Sequence, residues 1–99
     1  MKKTNSSIDG TSFHNITITA SVNDLINVLG EPTFQGNTGE DKVNFIWDME
    51  TDDGDVFTLY SWKEYRKISD IEIIEWHIGA RNRSISNKAQ YEIMRELNS

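Results

Sequence analysis

The stretch Glu75-Trp76-His77-Ile78-Gly79-Ala80-Arg81-Asn82-Arg83-Ser84 holds the residues of this chain best suited to bind something. It reads as a strand end, a glycine, two arginines, and polar side chains where a helix can begin. A helix start leaves backbone N–H groups without partners, and two guanidiniums beside them favour an anion. Each guanidinium can fork onto a phosphate or carboxylate, and Asn82 adds a neutral amide. The plainer reading is a bulge glycine, two solvated arginines and a serine that caps the helix.

Period two puts Glu75 and His77 on one strand face. A carboxylate near an imidazole can do acid–base work, but no nucleophile or set of metal ligands completes a catalytic site. His77 is therefore expected to hydrogen-bond a ligand or a neighbour rather than to move a proton in a reaction. The rings Trp47, Tyr60, Trp62 and Trp76 form a further set. Trp47 and Trp76 suit a core. Tyr60 and Trp62 fall at a strand end beside Lys63, where a ring can stack on a nucleobase. The candidate ligand-binding residues are thus Tyr60, Trp62, His77, Arg81, Asn82 and Arg83, with no catalytic residue, metal ligand or cofactor expected. A separate acidic group, Asp48, Glu50, Asp52, Asp53 and Asp55, reads either as a solvated hairpin or as a face that imitates a nucleic-acid backbone. Its Asp52-Asp53-Gly54-Asp55 spacing lacks the rest of an EF-hand loop.

These residues need a scaffold, and 99 residues provide for one domain with one modest core. The expected division is a flexible segment over 1–11 and a single α+β domain over 12–99. There is no cysteine, which excludes disulfides and thiolate zinc sites. No apolar run approaches the ~20 residues of a membrane span, and Met1-Lys2-Lys3 has no apolar run behind it, so neither a membrane partner nor a signal peptide is expected. A reducing, cytoplasmic setting follows as the expectation. The net charge is −6, and the acidity is concentrated between residues 40 and 55. With the remainder near neutral, a general nucleic-acid binder is not expected.

Phe13 to Ala20 alternates as a strand does. Ser21 reads as an N-cap, Val22, Leu25, Ile26 and Leu29 give a helical stripe, and Gly30 and Pro32 end it. Gly36-Asn37-Thr38-Gly39 reads as a loop. Val43–Thr51 and Val56–Trp62 read as a hairpin around Asp53-Gly54. A two-residue turn there predicts Trp47 opposite Tyr60, with Phe45, Trp47, Met49, Tyr60 and Trp62 on one face. The other face would then carry Ile46, Phe57 and Leu59, an apolar surface suited to a homo-oligomer. Ile71 to Gly79 reads as the last strand and about Ser86 to Leu97 as a closing helix. The expected fold is a small antiparallel sheet of about four strands with two helices packed on one face.

The run Thr58-Leu59-Tyr60-Ser61-Trp62-Lys63, followed by Trp76-His77-Ile78-Gly79-Ala80, resembles a group of small proteins encoded by tailed phages. Leu29-Gly30-Glu31-Pro32 and the Lys42 to Trp47 strand fit the same pattern, and the resemblance spans residues 16–95. It departs at Ala80, where a second glycine is usual. The resemblance implies a host bacterial cytoplasm and a role against bacterial defence. Some such proteins sequester nucleotide immune messengers without chemistry, and others bind a host enzyme, sometimes as DNA mimics. The leading expectation is a sponge for an anionic small molecule such as a cyclic nucleotide. The alternative is an acidic inhibitor of a host nuclease or DNA-binding protein.

Overall fold

The computed structural model describes residues 1–36 and 43–99. The expected loop from Asn37 onward, and the acids Glu40 and Asp41, lie outside the described residues. Eight elements follow in order: β1 (Lys2–Lys3), β2 (Ser12–Ala20), α1 (Val22–Leu29), β3 (Phe34–Gln35), β4 (Phe45–Glu50), β5 (Val56–Tyr60), β6 (Ile74–Ala80) and α2 (Arg83–Leu97). The fold is α+β, with two helices and an open antiparallel sheet of six strands rather than about four. The main path runs β1-β4-β5-β6-β2, and β3 also pairs with β4. The two additional strands are dipeptides. Two residues carry no periodicity, so nothing in their sequence announces a strand.

Helix α1 forms for local reasons. The Ser21 hydroxyl accepts the Asp24 N–H at 3.1 Å, and Gly30, with φ of 83°, returns its N–H to the Ile26 carbonyl. A positive φ at the end of a helix suits a residue without a Cβ. The Gly30 carbonyl then accepts the Trp47 indole N–H at 2.8 Å, so the helix end also satisfies the polar atom of a buried ring.

The β4–β5 register differs by one residue from the two-residue turn. Ile46 faces Tyr60 and Trp47 faces Leu59. The cause is the turn itself. The Gly54 N–H donates to the Thr51 carbonyl, the Thr51 N–H donates to the Asp55 carbonyl, and Gly54 sits at φ of 85°. This is a three-residue loop with a left-handed glycine, and it shifts every facing pair by one. Phe57 and Leu59 consequently point inward and are fully buried, while Tyr60 points outward. The apolar outer surface expected to support an oligomer is therefore not formed by these residues.

One buried cluster results. Phe45, Trp47, Met49, Phe57, Leu59, Trp76 and Ile78 supply it from the sheet, and Leu25, Leu29, Ala89 and Ile93 from both helices. Trp47 and Trp76 meet edge-on, with ring centroids 5.6 Å apart at 75°. The Trp76 indole N–H donates to the Ala20 carbonyl at 2.9 Å. Burying either indole contributes several kcal/mol, since removing a buried Trp costs about 3–5 kcal/mol. The alternate residues of β4, β5 and β6 face the opposite side, and the rings there are only half covered.

Candidate functional site on the outer sheet face

Tyr60 closes β5, and His77 in the middle of β6 lies directly across from it. Their rings meet at 5.6 Å and 66°. Trp62 follows two residues after Tyr60. Its ring lies edge-on to Tyr60 at 6.2 Å and near-parallel to His77 at 6.3 Å and 26°. Three of the six residues singled out in the sequence are thus brought into one ring cluster by period two and by the β5–β6 register.

A fourth ring, Phe13, was not expected there. It stacks on His77 at 3.8 Å and 8°. Phe13 pairs with Gly79 and Thr17 with His77, so β2 spends four residues where β6 spends two. The excess is taken up around Asn15, which has φ of 65°. Such an irregularity re-aims a side chain locally. A left-handed asparagine is the one signal that points to it, and Asn-x alternation alone does not reveal it.

Gly79 lies beside the cluster. A Cβ at this position would stand 2.5 Å from Thr58 Oγ1 and 3.4 Å from Tyr60 Cε1. The absence of a side chain is what allows Thr58 and Tyr60 to pack over β6. Trp62 is 40% exposed and Phe13 37%, whereas Tyr60 and His77 are half-buried. The exposed rings can therefore meet a ligand while the half-buried pair holds them in place.

Burial lowers the His77 imidazole pKa from its usual value, with the charge of Glu75 opposing in part. Burial raises the Tyr60 phenol. At neutral pH the cluster accordingly presents a neutral imidazole and a neutral phenol, suited to stacking and hydrogen bonding. On the same outer face, burial also raises the Asp48 carboxyl, whose Oδ1 is enclosed and has no hydrogen-bond partner among the described residues. Lys63 holds its Nζ 6.0 Å from the Trp62 ring centroid.

The other three candidates sit at the strand end and hold the chain together there. Arg81 donates from Nε to the Asp9 carbonyl at 3.1 Å and from Nη2 to the Ser7 carbonyl at 2.8 Å. Arg83 donates to the His14 carbonyl at 3.3 Å. Asn82, rather than a serine, is the N-cap of α2, accepting the Ile85 N–H at 2.9 Å. The helix therefore begins three residues earlier than the serines suggest. Ser86 is buried and donates to the Asn82 carbonyl at 3.4 Å.

The acidic hairpin is met by cations from α2. Lys88 contacts Asp53 at 2.9 Å and Asp55 at 2.8 Å, and Arg95 contacts Asp52 at 3.3 Å. The buried Glu92 carboxylate accepts the Asp52 backbone N–H, and the Met1 ammonium contacts Asp52. Among the described residues no cluster of three or more His, Cys, Asp or Glu could hold a metal ion. No helix there is long and apolar enough to cross a membrane.

The arrangement is that of an antiparallel sheet backed by two helices, with a ring cluster on its outer face. Comparison of the chain with family models, with curated proteins and with solved structures finds no match.

Proposed function

We propose that the protein is a non-enzymatic binder whose outer sheet face stacks the planar base of a phosphorylated small molecule and sequesters it. The observation that carries this reading is the Phe13–His77–Tyr60–Trp62 ring cluster, with two rings exposed and two half-buried. Both helices pack on the opposite face of the sheet, so these four rings are not part of the core that the helices help to build. Stacking a base on such a ring is worth about 1–3 kcal/mol. The narrower form of the proposal, a nucleotide immune messenger bound by a phage protein in a bacterial host, draws on the resemblance to small phage proteins. The acidic-inhibitor alternative has less support, because Asp52, Asp53 and Asp55 already face Arg95 and Lys88.

The test is a thermal-shift and titration screen against cyclic dinucleotides, cyclic ADP-ribose isomers and mononucleotides, read also by tryptophan fluorescence. A bound ligand raises the melting temperature by mass action. Trp62→Ala is expected to weaken binding about 5- to 150-fold, the equivalent of one lost stack. The ligand should be recovered intact after the protein is denatured. Recovery of a cleaved product would place the protein among enzymes, and full affinity in Trp62→Ala would remove the ring cluster from the site.

A further inference from the structure

We propose that Lys63 holds the phosphate of the ligand, and that the site takes a mononucleotide-sized anion rather than a strand of nucleic acid. This inference rests on the stacking reading above and adds the group that fixes the ligand's orientation.

The cations of the described residues differ in what they already hold. Arg81 donates to the carbonyls of Ser7 and Asp9, and Arg83 donates to that of His14. Arg66 forks onto Glu72 and also contacts Glu64. Lys88 and Arg95 face the hairpin acids. Lys2 and Lys3 pair with Glu50 and Met49, at the end of β4 remote from Ile46, the residue opposite Tyr60. Lys63 and Lys67 make no ion pair among the described residues, and of these the Lys63 ammonium lies against the Trp62 ring, at the rim of the cluster. A base stacked on Trp62 brings its phosphate toward the Lys63 ammonium beside that ring. Lysine serves a phosphate as a mobile point charge, which suits a rim position.

The backbone gives a second, independent reason. Lys63 has φ of 57°, and among the described residues the other non-glycine with a positive φ is Asn15, the residue that re-aims Phe13. A side chain other than Gly, Asn or Asp is uncommon in this region, and such conformations cluster at ligand clamps. Both left-handed residues thus bracket the same ring cluster. A glycine would fit position 63 more comfortably, so the side chain there sits against the local preference of the backbone.

The acids set the size of the anion. Asp48, Glu50 and Glu75 have the strand parity of the outer face, on either side of the rings. A polyanionic strand running across the sheet would pass these carboxylates, and like charges repel. A single phosphate directed toward Lys63, off the end of β5, avoids them.

Lys63→Gly separates the charge from the fold. It removes the ammonium and relieves the left-handed backbone, so its unfolding midpoint should be equal to or higher than that of the parent. The probes are adenosine with AMP and guanosine with GMP, titrated into the full chain by calorimetry. The parent should bind a nucleotide about 10- to 150-fold more tightly than its nucleoside, the range for a charge-assisted hydrogen bond. Lys63→Gly should lose that preference and keep nucleoside affinity, while Lys63→Arg should retain most of it. Added salt should shrink the preference in the parent and leave nucleoside binding unchanged. If nucleotide and nucleoside bind the parent equally, stacking stands and the role of Lys63 is overturned. If the preference survives in Lys63→Gly but disappears in the Arg81→Ala/Arg83→Ala double variant, the phosphate sits at the strand end instead. If none of the four probes binds, the stacking reading fails and this inference fails with it.

Discussion

Alanine at position 79 would set its Cβ 2.5 Å from Thr58 Oγ1 and 3.4 Å from Tyr60 Cε1. The second distance is ordinary contact, but the first is roughly an ångström too short. Thr58 is only 6% exposed, so its side chain cannot swing into solvent. Because it branches at Cβ, turning χ1 mostly exchanges the hydroxyl for the methyl. Relief must come from an off-rotamer side chain or a shift of β5 against β6, and such overpacking costs about 1–3 kcal/mol. Gly79 is not in the left-handed region, so Gly→Ala also stiffens the unfolded chain and returns about 0.4–1 kcal/mol. The net expectation for Gly79→Ala is a loss on the order of 1–2 kcal/mol. In a domain of this size that lowers Tm by about 4–16 °C. Urea denaturation of Gly79→Ala, Thr58→Ala and the double variant forms a cycle. The double variant should be more stable than the two single losses sum to, by at least about 0.5 kcal/mol. An unchanged midpoint in Gly79→Ala, or strictly additive effects, would refute the argument that this glycine exists to seat Thr58 and Tyr60.

The remaining expectations use the same ring face and the start of α2. The His77 imidazole is held below its usual pKa by burial among Phe13, Tyr60 and Trp62. Above the unfolded value of about 6.5 both states are neutral and folding carries no penalty. As pH falls through that value the unfolded chain binds the proton first, so stability declines and then levels below the folded pKa. The urea midpoint should therefore drop between pH 7.5 and 5.5, and His77→Phe should flatten that part of the profile; an identical slope in both proteins would locate the titration elsewhere. Asn82→Ala should cost about 0.5–2 kcal/mol by removing the N-cap of α2, and Asn82→Asp should restore most of it, both followed by circular dichroism melts.

Helix α1 was fully legible because everything that defines it is local: Ser21, the Val22–Leu29 stripe, Gly30 and Pro32. The inward positions of Trp47, Trp76 and Ile78 also followed from alternation along single strands. The hairpin register did not, since Asp-Gly fits both a two-residue turn and the three-residue loop seen at Gly54, and only the Thr51–Asp55 pairing decides between them. Tyr60, Trp62 and His77 could be grouped from strand ends and spacing. Phe13 could not, because its place over His77 depends on a pairing across 64 positions of chain and on the irregularity at Asn15. The arginines were expected to donate to an anion. What they donate to, the carbonyls of Ser7, Asp9 and His14, is a property of how the N-terminal segment folds back, and residue types alone do not encode it.

The two dipeptide strands have a consequence for how the protein behaves in a crowded solution. β1 and β3 occupy the two ends of β4, and the gap between them is filled as well: the Thr33 N–H donates to the Ile46 carbonyl, the Thr33 hydroxyl accepts the Asp48 N–H, and the Thr4 N–H donates to the Asp48 carbonyl. At the opposite border of the sheet, Gln90 donates its side-chain amide to the Thr17 carbonyl. An open border of backbone donors and acceptors is a template on which further chains can add, strand upon strand, toward a fibril. Here β4 has been used up by fragments too short to extend the ladder, and β2 is interrupted by a side chain that no incoming strand can replace without breaking a bond. The β4 border is thus capped and the β2 border interrupted at Thr17, both of which oppose the addition of a further strand.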